Sequence, residues 1–561
     1  MAGMNPIKHW RLLAAFGLAV LYGPSLLESA RLAADRYRFN DDARHWLIPF
    51  VRETQPGIRE DDYLANYRLA MTPVGQRWFY RCAGRLLDPA VTSKVLPLAQ
   101  YVLLMAALAW CAARLGGRAC GWATLALALS SHEFLYRMAG GTARSWAFPL
   151  VGWAAFALVA DRPRLLAALT VLAAALYPPI ALLLGLTLAG TVLMSRERRR
   201  EKAGLLILTF LLAAACLWSS HTAEYGRRLG PADVAAYPEL GPGGRYGFED
   251  RPPFLNVGAA LADAFGRSLQ GGEPAWIAPL RRWIMAGSTY GRPSLLLVAI
   301  AGFFGLLTLV GTVLLARRDA TARRLLLLPA ASVTAYLAAA RLAPALYFPQ
   351  RYMIYSVPVL AMILLPAAVR SLAARCRPAA AVPAMLAVTA ACLLLLGGRG
   401  GGATGLSVDA RADRDLYDAI AELPPGALLA GWPEGPLNNV PWLCRRSVLL
   451  NRESHEAIHQ GYAEQMRRRL KAVVDGCFAT TSDPLDRLHR NWGVSHLLVD
   501  LTHYEEDAPI YFEPFNEVIR NAHGRMRAGG SEVLRQADAC AVFKNGRWML
   551  LDLARMTGQQ D

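Results

Sequence analysis

Charged residues are scarce in this chain of 561 residues: 18% are Asp, Glu, Lys or Arg, against 54% that are hydrophobic. The mean hydropathy is +0.25. A single soluble globule of this length needs more polar surface than this composition supplies, which excludes that class. The chain is therefore predicted to be an α-helical polytopic membrane protein.

Acidic residues are the scarcer charge, with 43 Asp and Glu against 60 Lys and Arg, for a formal net charge of +17. A nucleic-acid-binding protein would gather its basic residues on one folded face, interleaved with aromatics. Here most basic clusters fall in short segments between apolar runs, where they indicate membrane topology instead. No nucleic-acid partner is expected.

Familiar catalytic and transport signatures are also missing. The C-terminal region has no glycine-rich phosphate-binding loop and no Ser-His-Asp spacing, and the chain has no convincing internal repeat. The nine cysteines give no readable disulfide pattern, because connectivity does not follow from spacing. The informative residues must be sought at the ends of the apolar runs.

Eleven apolar runs of roughly 14–22 residues are predicted to cross the membrane, since about 20 helical residues span the hydrocarbon. They centre on Arg11–Leu27, Val95–Ala113, Ala119–Leu135, Trp146–Ala160, Leu165–Tyr177, Ile180–Met194, Leu205–Trp218, Leu295–Ala316, Leu325–Ala340, Met353–Ala368 and Val382–Leu396. The first is predicted to be a retained anchor, because its flank is a poor signal-peptide cleavage site.

The two runs around Tyr177-Pro178-Pro179 form either one kinked helix or a hairpin turned by the prolines. Only the hairpin places every basic loop on the side of Lys8 and Arg11, as the positive-inside rule requires. Those loops are Arg114–Arg118, Asp161–Arg164, Arg196–Lys202, Arg317–Arg324 and Arg370–Arg377. The N-terminus is then cytoplasmic and the C-terminus lies outside.

Two domains are predicted from this topology. Residues 1–398 form a transmembrane module with outer loops at 32–94 and 219–292, and residues 399–561 form a C-terminal outer-face domain after a glycine-rich linker. Strands and helices alternate in the second domain, which indicates an α/β fold. The predicted strands are Ala427–Ala430, Ser447–Leu450 and His496–Asp500, and the helices are Asp415–Leu423 and Ala463–Val474.

Two acidic pairs stand in the first outer loop. Asp41-Asp42 lies at a membrane boundary beside Arg44 and His45, where cationic neighbours would keep a carboxylate ionised and able to accept a proton. The alternative is that the pair caps an interfacial helix over Ala43–Val51. Asp61-Asp62 precedes a predicted helix, so it is either an N-terminal cap or a site for an acceptor or a metal. His45 is a further candidate for acceptor or metal binding.

Arginines at the outer membrane edge are the second feature. Arg137 and Arg144 bracket a short outer turn, and Arg351-Tyr352 opens the tenth span. Positive charge outside opposes the topology bias, so it needs another reason. A lipid phosphate would supply one, because guanidinium matches phosphate oxygens bidentately. Snorkelling to ordinary headgroups is the alternative.

Histidines offer one more possible metal site. His455 and His459 are predicted to share one face of a helix, because they are four residues apart. Such a pair either binds metal or forms part of a polar surface. The two acidic pairs do not by themselves decide whether a metal is bound.

Taken together, the pattern resembles the GT-C class of integral-membrane glycosyltransferases, which use polyprenyl-phosphate-linked sugars. The matching positions are Asp41-Asp42 for an acidic motif in the first outer loop and Arg351-Tyr352 for a late outer turn. The tail segments Leu437–Pro441 and Arg445–Glu453 are similar to tails of uncharacterised bacterial membrane proteins with the same Asp-Asp-Ala opening.

This resemblance implies inverting transfer of a sugar from a polyprenyl phosphate to an acceptor hydroxyl. Asp41 or Asp42 would be the general base. The donor phosphate would be bound by Arg351 and Tyr352 with Arg144 or Arg137. Asp61, Asp62 and His45 would assist acceptor binding or hold a divalent metal, for which the class varies. No other cofactor is implied.

The implied partners are a polyprenyl-phosphate-linked sugar donor, membrane lipid and a glycan, lipid or protein acceptor. The expected location is a bacterial inner membrane, with the C-terminal domain periplasmic or extracellular. Two alternatives stay open: a transporter or flippase of lipid-linked glycans, and an O-antigen-type polymerase or ligase. The scarcity of charge within the spans favours chemistry at the outer surface over passage through the membrane.

Overall fold

The computed structural model describes residues 27, 30–194, 199–218, 222–246, 257–269, 295–342, 346, 348–395, 405–505 and 507–558. Within these ranges the chain is mostly helical. The predicted first span at 11–27 lies outside the described residues except for its last position, and so does the whole of the glycine-rich linker.

Two groups of helices form the region up to residue 395. The first group precedes the apolar bundle: α1 (Ala43–Trp46), α2 (Ile48–Thr54), α3 (Tyr63–Met71) and α4 (Val74–Ala83). The second group is α5 (Pro89–Ser130), α6 (His132–Met138), α7 (Ala147–Val159), α8 (Pro163–Leu176), α9 (Pro178–Met194), α10 (Arg199–Trp218), α11 (Val257–Leu269), α12 (Leu295–Ala316), α13 (Ala320–Leu325), α14 (Leu327–Leu342), α15 (Gln350–Cys376) and α16 (Ala381–Leu395).

The bundle has the character of a membrane domain. Four described stretches are long and apolar enough to cross a membrane, by length and composition: Pro89–Ser130, Arg200–Trp218, Ala320–Leu342 and Gln350–Cys376. Large apolar side chains are exposed on α10 and α12, among them Phe210, Leu211, Phe303 and Leu309. Apolar surface of this extent faces lipid in a membrane protein. The chain is a membrane protein, and the predicted count of eleven spans is not confirmed.

Residues with non-helical backbone angles separate several of the predicted spans. The second predicted span and most of the third lie in the single segment α5, which is interrupted at Gly117, whose φ of 76° is not helical; the third ends in α6. Tyr177 is also non-helical, with φ −149° and ψ 88°, and separates α8 from α9. These two helices pack against each other, so the predicted hairpin is confirmed.

The basic loops meet at one end of the bundle, called here the basic end. Their mutual contacts are Arg164 with Glu201 at 3.0 Å, Arg324 with Asp161 at 3.1 Å, and Arg370 beside Gly117. Helix α8 starts at this end and has 14 residues, which at 1.5 Å per residue extend about 21 Å. Tyr177, at its far end, therefore lies at the opposite end of the bundle.

The region after residue 405, called here the tail, is an α/β domain as predicted. Its helices are α17 (Arg414–Glu422), α18 (Val440–Leu443), α19 (Gln460–Cys477), α20 (Asp483–Trp492), α21 (Thr502–Glu505), α22 (Asn516–Gly529), α23 (Glu532–Cys540) and α24 (Leu553–Met556). Its sheet strands are β3 (Leu428–Gly431), β4 (Ser447–Val448), β5 (His496–Asp500), β6 (Ala541–Lys544) and β7 (Trp548–Asp552). The predicted positions of β3, β4 and β5 are confirmed, whereas β6 and β7 were not anticipated.

The sheet has the order β4-β3-β5-β7-β6. Strand β3 is parallel to β4 and β5, while β7 is antiparallel to β5 and β6. The loops that follow β3 and β4 leave from the same edge of the sheet because these strands are parallel. Those loops carry Asn439 and Glu453, which reach the site described below.

Segment 32–94 and the tail are one packed unit. Strand β1 (Arg38–Phe39) pairs antiparallel with β2 (Val408–Asp409). One hydrophobic core contains Phe39 and Tyr67 together with Leu429 and Tyr462 of the tail. The rings of Tyr67 and Tyr462 stack with centroids 3.5 Å apart. The predicted outer loop thus contributes side chains to the same hydrophobic core as the tail. The bundle has a separate core.

A buried ion pair fastens this unit. Arg68 on α3 is 1% exposed, and its Nη1 donates to Glu456 Oε2 at 2.8 Å. Its Nη2 donates to the carbonyl of Glu453 at 2.6 Å. Arg81 and Glu53 form a comparison pair in the same segment, at 2.8 Å but with the arginine 54% exposed.

We expect Arg68→Met to lower the free energy of unfolding by about 3–5 kcal/mol, because it leaves a largely buried carboxylate without its partner. The matched change Arg81→Met should cost less than about 1 kcal/mol, since the lost pair is exposed. Chemical denaturation of the detergent-solubilised protein measures both. Equal losses for the two variants would contradict the role given to Arg68.

Candidate active site

Asn40 shapes the turn that presents the acidic pair. Its Oδ1 accepts hydrogen bonds from the amides of Asp42 at 3.1 Å and Ala43 at 3.3 Å. Its Nδ2 donates to the carbonyl of Gly405 at 2.8 Å, which ties the turn to the start of the tail. Gly140 packs against Asn40 with φ 85°, where a side chain would be strained and would clash. Three separate segments therefore hold Asp41-Asp42 in place.

Asp42 meets the arginines of the bundle. Its Oδ2 lies 2.5 Å from Nη1 of Arg144. Arg351 and Tyr177 are both close enough to interact electrostatically with Arg144. Arg351 Nη1 donates to the hydroxyl of Tyr177 at 2.8 Å. Two predicted phosphate-binding arginines and one aspartate thus come together at the end of the bundle opposite the basic loops.

The other two predicted donor-site residues, Arg137 and Tyr352, have partners close to them in the sequence. Arg137 forms its ion pair with Glu133, one turn earlier in α6. Tyr352 is buried, and its hydroxyl donates to the carbonyl of Leu346 at 2.8 Å. Arg137 thus has a local carboxylate partner and Tyr352 has a structural hydrogen bond.

Asp41 has the properties of a proton acceptor. Its side chain is 48% exposed and pairs with Arg44, which also donates to Asn439 of the tail. Burial raises the pKa of Asp41; Arg44 opposes this shift, and the carboxylates of Glu453 and Asp42 add to it. A carboxylate with a raised pKa binds a proton more readily, as a general base must.

His45 lies between two carboxylates but stays neutral. It is 5% exposed, and its Nε2 is 4.0 Å from Asp42 Oδ1 and 3.9 Å from Glu453 Oε2. Burial lowers its pKa well below the ordinary value, and the nearby guanidinium groups of Arg68, Arg44, Arg245 and Arg144 lower it further. Both effects disfavour the imidazolium cation.

The tail and the second predicted outer loop supply residues that sequence reasoning did not assign. Glu453 follows β4, and Arg245 Nη2 donates to its Oε2 at 2.6 Å. Asn439 follows β3 and contacts Arg44. Both tail residues lie in segments noted for their similarity to other bacterial tails. Their partners are more than 200 residues away in sequence, and no local pattern indicates them.

The second acidic pair has local partners. Asp62 caps α3 by accepting from the amide of Ala65 at 2.9 Å. Asp61, which is 72% exposed, pairs with Arg59 at 2.9 Å. The N-terminal cap anticipated as one alternative is therefore present at Asp62.

No described residues form a group of three or more His, Cys, Asp or Glu side chains that could hold a metal ion. His455 and His459 precede α19 and do not share a helix face, so that prediction is wrong. His459 Nδ1 is 2.9 Å from the hydroxyl of Tyr67, whereas His455 Nδ1 is 3.2 Å from that of Tyr511. Their position in a loop explains why they reach different partners.

Because the pKa of His45 is lowered in the folded protein, we expect the free energy of unfolding to depend on pH. Unfolding lets the imidazole bind a proton near its ordinary pKa of about 6.5, so stability is lost as the pH falls through that value. When the pH falls from about 7.5 to 5.5, the free energy of unfolding of the native protein should drop by about 1.4 kcal/mol more than that of the His45→Asn variant. Chemical denaturation at both pH values measures the difference, and equal losses would show that His45 is already protonated in the folded protein.

No protein-family model and no curated protein matches the chain. Among solved structures it is similar to the oligosaccharyltransferase AglB from Archaeoglobus fulgidus, in complex with an inhibitory peptide and a dolichol-phosphate. The identity is 12% and the TM-score 0.48, over 97% of this chain and 74% of that one. It is also similar to ArnT from Cupriavidus metallidurans in the apo state, with 12% identity and a TM-score of 0.46 over 99% of this chain and 100% of that one.

ArnT bound to undecaprenyl phosphate gives the same TM-score of 0.46 at 13% identity. At such identities, and with TM-scores below 0.5, these likenesses identify neither a substrate nor a catalytic residue.

Proposed function

We propose that the protein is a membrane glycosyltransferase that moves a sugar from a polyprenyl-phosphate donor to an acceptor hydroxyl. The observation that carries this proposal is the meeting of the acidic pair with Arg144 and Arg351. A transferase of this kind needs a base for the acceptor proton and a cationic site for the departing phosphate, a few ångströms apart. Both requirements have candidates within one group of contacts.

Asp41 is the better candidate for the base. Each carboxylate has an arginine partner, Arg144 for Asp42 and Arg44 for Asp41, but Asp41 is the more exposed of the two, at 48% against 26%, and its pKa is raised. In the proposed step the acceptor oxygen attacks the anomeric carbon and its proton passes to Asp41. The bond from that carbon to the phosphate oxygen breaks, and the phosphate leaves with the electron pair. Attack from the opposite face inverts the anomeric centre.

Arg144 and Arg351 would stabilise the negative charge that grows on the phosphate. Preorganised charge of this kind is usually the largest single contribution to catalysis. The bond from Arg351 to Tyr177 orients the guanidinium before the donor binds. Tyr177 sits in the proline turn between α8 and α9, so the turn would also shape the groove for the lipid.

The carboxylates at this site do not fit a divalent cation. Asp41 pairs with Arg44 and Asp42 with Arg144, so a metal would have to displace a guanidinium from each. Hard cations take their oxygen ligands from several carboxylates and carbonyls at once. We assign no step to a metal.

The proposed orientation follows from charge. The basic end faces the cytoplasm, as the positive-inside rule favours, and the acidic pair and the tail face the outside of a bacterial inner membrane. Donor and acceptor then meet at the outer surface.

Asp41→Asn should lower release of polyprenyl phosphate by about 10²- to 10⁴-fold, the usual contribution of a general base. The measurement uses a panel of undecaprenyl-phosphate sugars and candidate acceptors with the protein in nanodiscs. Asp233→Asn, a matched change in an exposed ion pair with Arg227, is the control and should keep full activity. Unchanged turnover in Asp41→Asn would place the base elsewhere, and donor binding without any turnover would favour the transporter.

The rate should also fall at acid pH, because a protonated Asp41 cannot accept the acceptor's proton. The ordinary pKa of an aspartate is about 4. Since burial raises the pKa of Asp41, the acid limb of the kcat/KM profile should have its midpoint above pH 4. A pH profile of the native protein measures this limb. A limb at or below pH 4 would contradict the assignment of Asp41.

A further inference from the structure

Glu453 brings a third carboxylate to the acidic pair, from a different part of the chain. Its Oε2 lies 3.9 Å from His45 Nε2 and 2.6 Å from Nη2 of Arg245. The same His45 nitrogen lies 4.0 Å from Asp42. Glu453, His45 and Arg245, called here the acceptor subsite, therefore adjoin Asp42, and the carboxylate of Glu453 is also close enough to interact electrostatically with the candidate base Asp41.

The carboxylates around this subsite all lie in ion pairs. Each carboxylate near it is paired with an arginine: Asp41 with Arg44, Asp42 with Arg144, Glu453 with Arg245, Glu456 with Arg68, and Glu434 with Arg452. His45 is neutral among them. A ligand with a net charge would meet repulsion as often as attraction here, whereas a neutral ligand could hydrogen-bond to both signs.

The subsite offers both kinds of hydrogen-bonding group. Glu453 keeps 22% of its side chain exposed and can accept from a hydroxyl, while Arg245, 15% exposed, can donate. His45 is buried beside them, with its Nε2 turned towards both Asp42 and Glu453. Hydroxyl groups donate and accept at once, so they suit this mixed lining.

We propose that Glu453, His45 and Arg245 bind a neutral, hydroxyl-rich acceptor, a saccharide, and hold one of its hydroxyl groups next to Asp41. The role as an acceptor site rests on the proposed function, but the binding of a saccharide does not. The tail thereby supplies a side chain that contacts the acceptor.

The test is binding of a panel of neutral methyl glycosides to the full-length protein in nanodiscs, measured by saturation-transfer NMR. Glu453→Gln should weaken the binding about 10- to 100-fold, the usual effect of losing a hydrogen bond to a charged group. Glu517→Gln, which changes an exposed glutamate on α22 of the tail, is the matched control and should bind like the native protein. Methyl glucuronide, an anionic glycoside, should bind more weakly than its neutral counterpart.

Each outcome separates the possibilities. Equal binding by the native protein and Glu453→Gln would overturn the subsite. A parallel loss of thermal stability and binding in Glu453→Gln and Glu456→Gln would give Glu453 a structural role and also overturn it. Glu453-dependent saccharide binding by a protein that releases no polyprenyl phosphate would support the subsite and reject the transfer reaction. Selective loss of binding in Glu453→Gln, with stability kept, is the result we expect.

Discussion

The pairing of arginines in the segments before and after the first bundle helices with carboxylates of the tail is the interaction on which the rest of the structure depends. Removing a charge from water costs several kcal/mol unless a partner compensates it. Arg68, 1% exposed, can be buried only because Glu456 lies 388 residues further along the chain and 2.8 Å away in space. Arg245 and Glu453 meet across 208 residues. Segment 32–94 therefore reaches this arrangement only when the tail is docked.

Burial shifts the pKa values of neighbouring groups at the site in opposite directions. It raises the pKa of Asp41 and lowers that of His45, because in each case the charged form loses solvation. The arginines then oppose the shift at Asp41 and reinforce it at His45. The same environment thus raises the pKa of a carboxylate and lowers that of a nearby imidazole.

The candidate site and the basic loops lie at opposite ends of the bundle. Helix α8 begins beside the Asp161–Arg324 contact and ends at Tyr177, which bonds Arg351. The proline turn after Tyr177 sends α9 back, so the basic loops stay together at one end while Arg144 and Arg351 stay at the other. A continuous helix through Pro178 would have placed later basic loops at the end that holds Asp42.

The sequence by itself determined the features that depend on local composition. Apolar runs located most helices of the bundle, but α11 falls in a predicted outer loop. The placement of the basic loops favoured the hairpin at Tyr177, and apolar segments with turn residues between them located β3, β4 and β5. The acidic pair and the arginines at 144 and 351 could be singled out because their charge stands beside apolar segments. Strands β6 and β7 were not anticipated, and the helix face predicted for His455 and His459 does not exist. Only the tertiary structure decided that Asp42 meets Arg144, that Asp62 serves as a cap, and that Glu453 joins His45. Hydropathy and periodicity report on neighbours a few residues away, whereas a buried charge chooses its partner by distance in the folded chain.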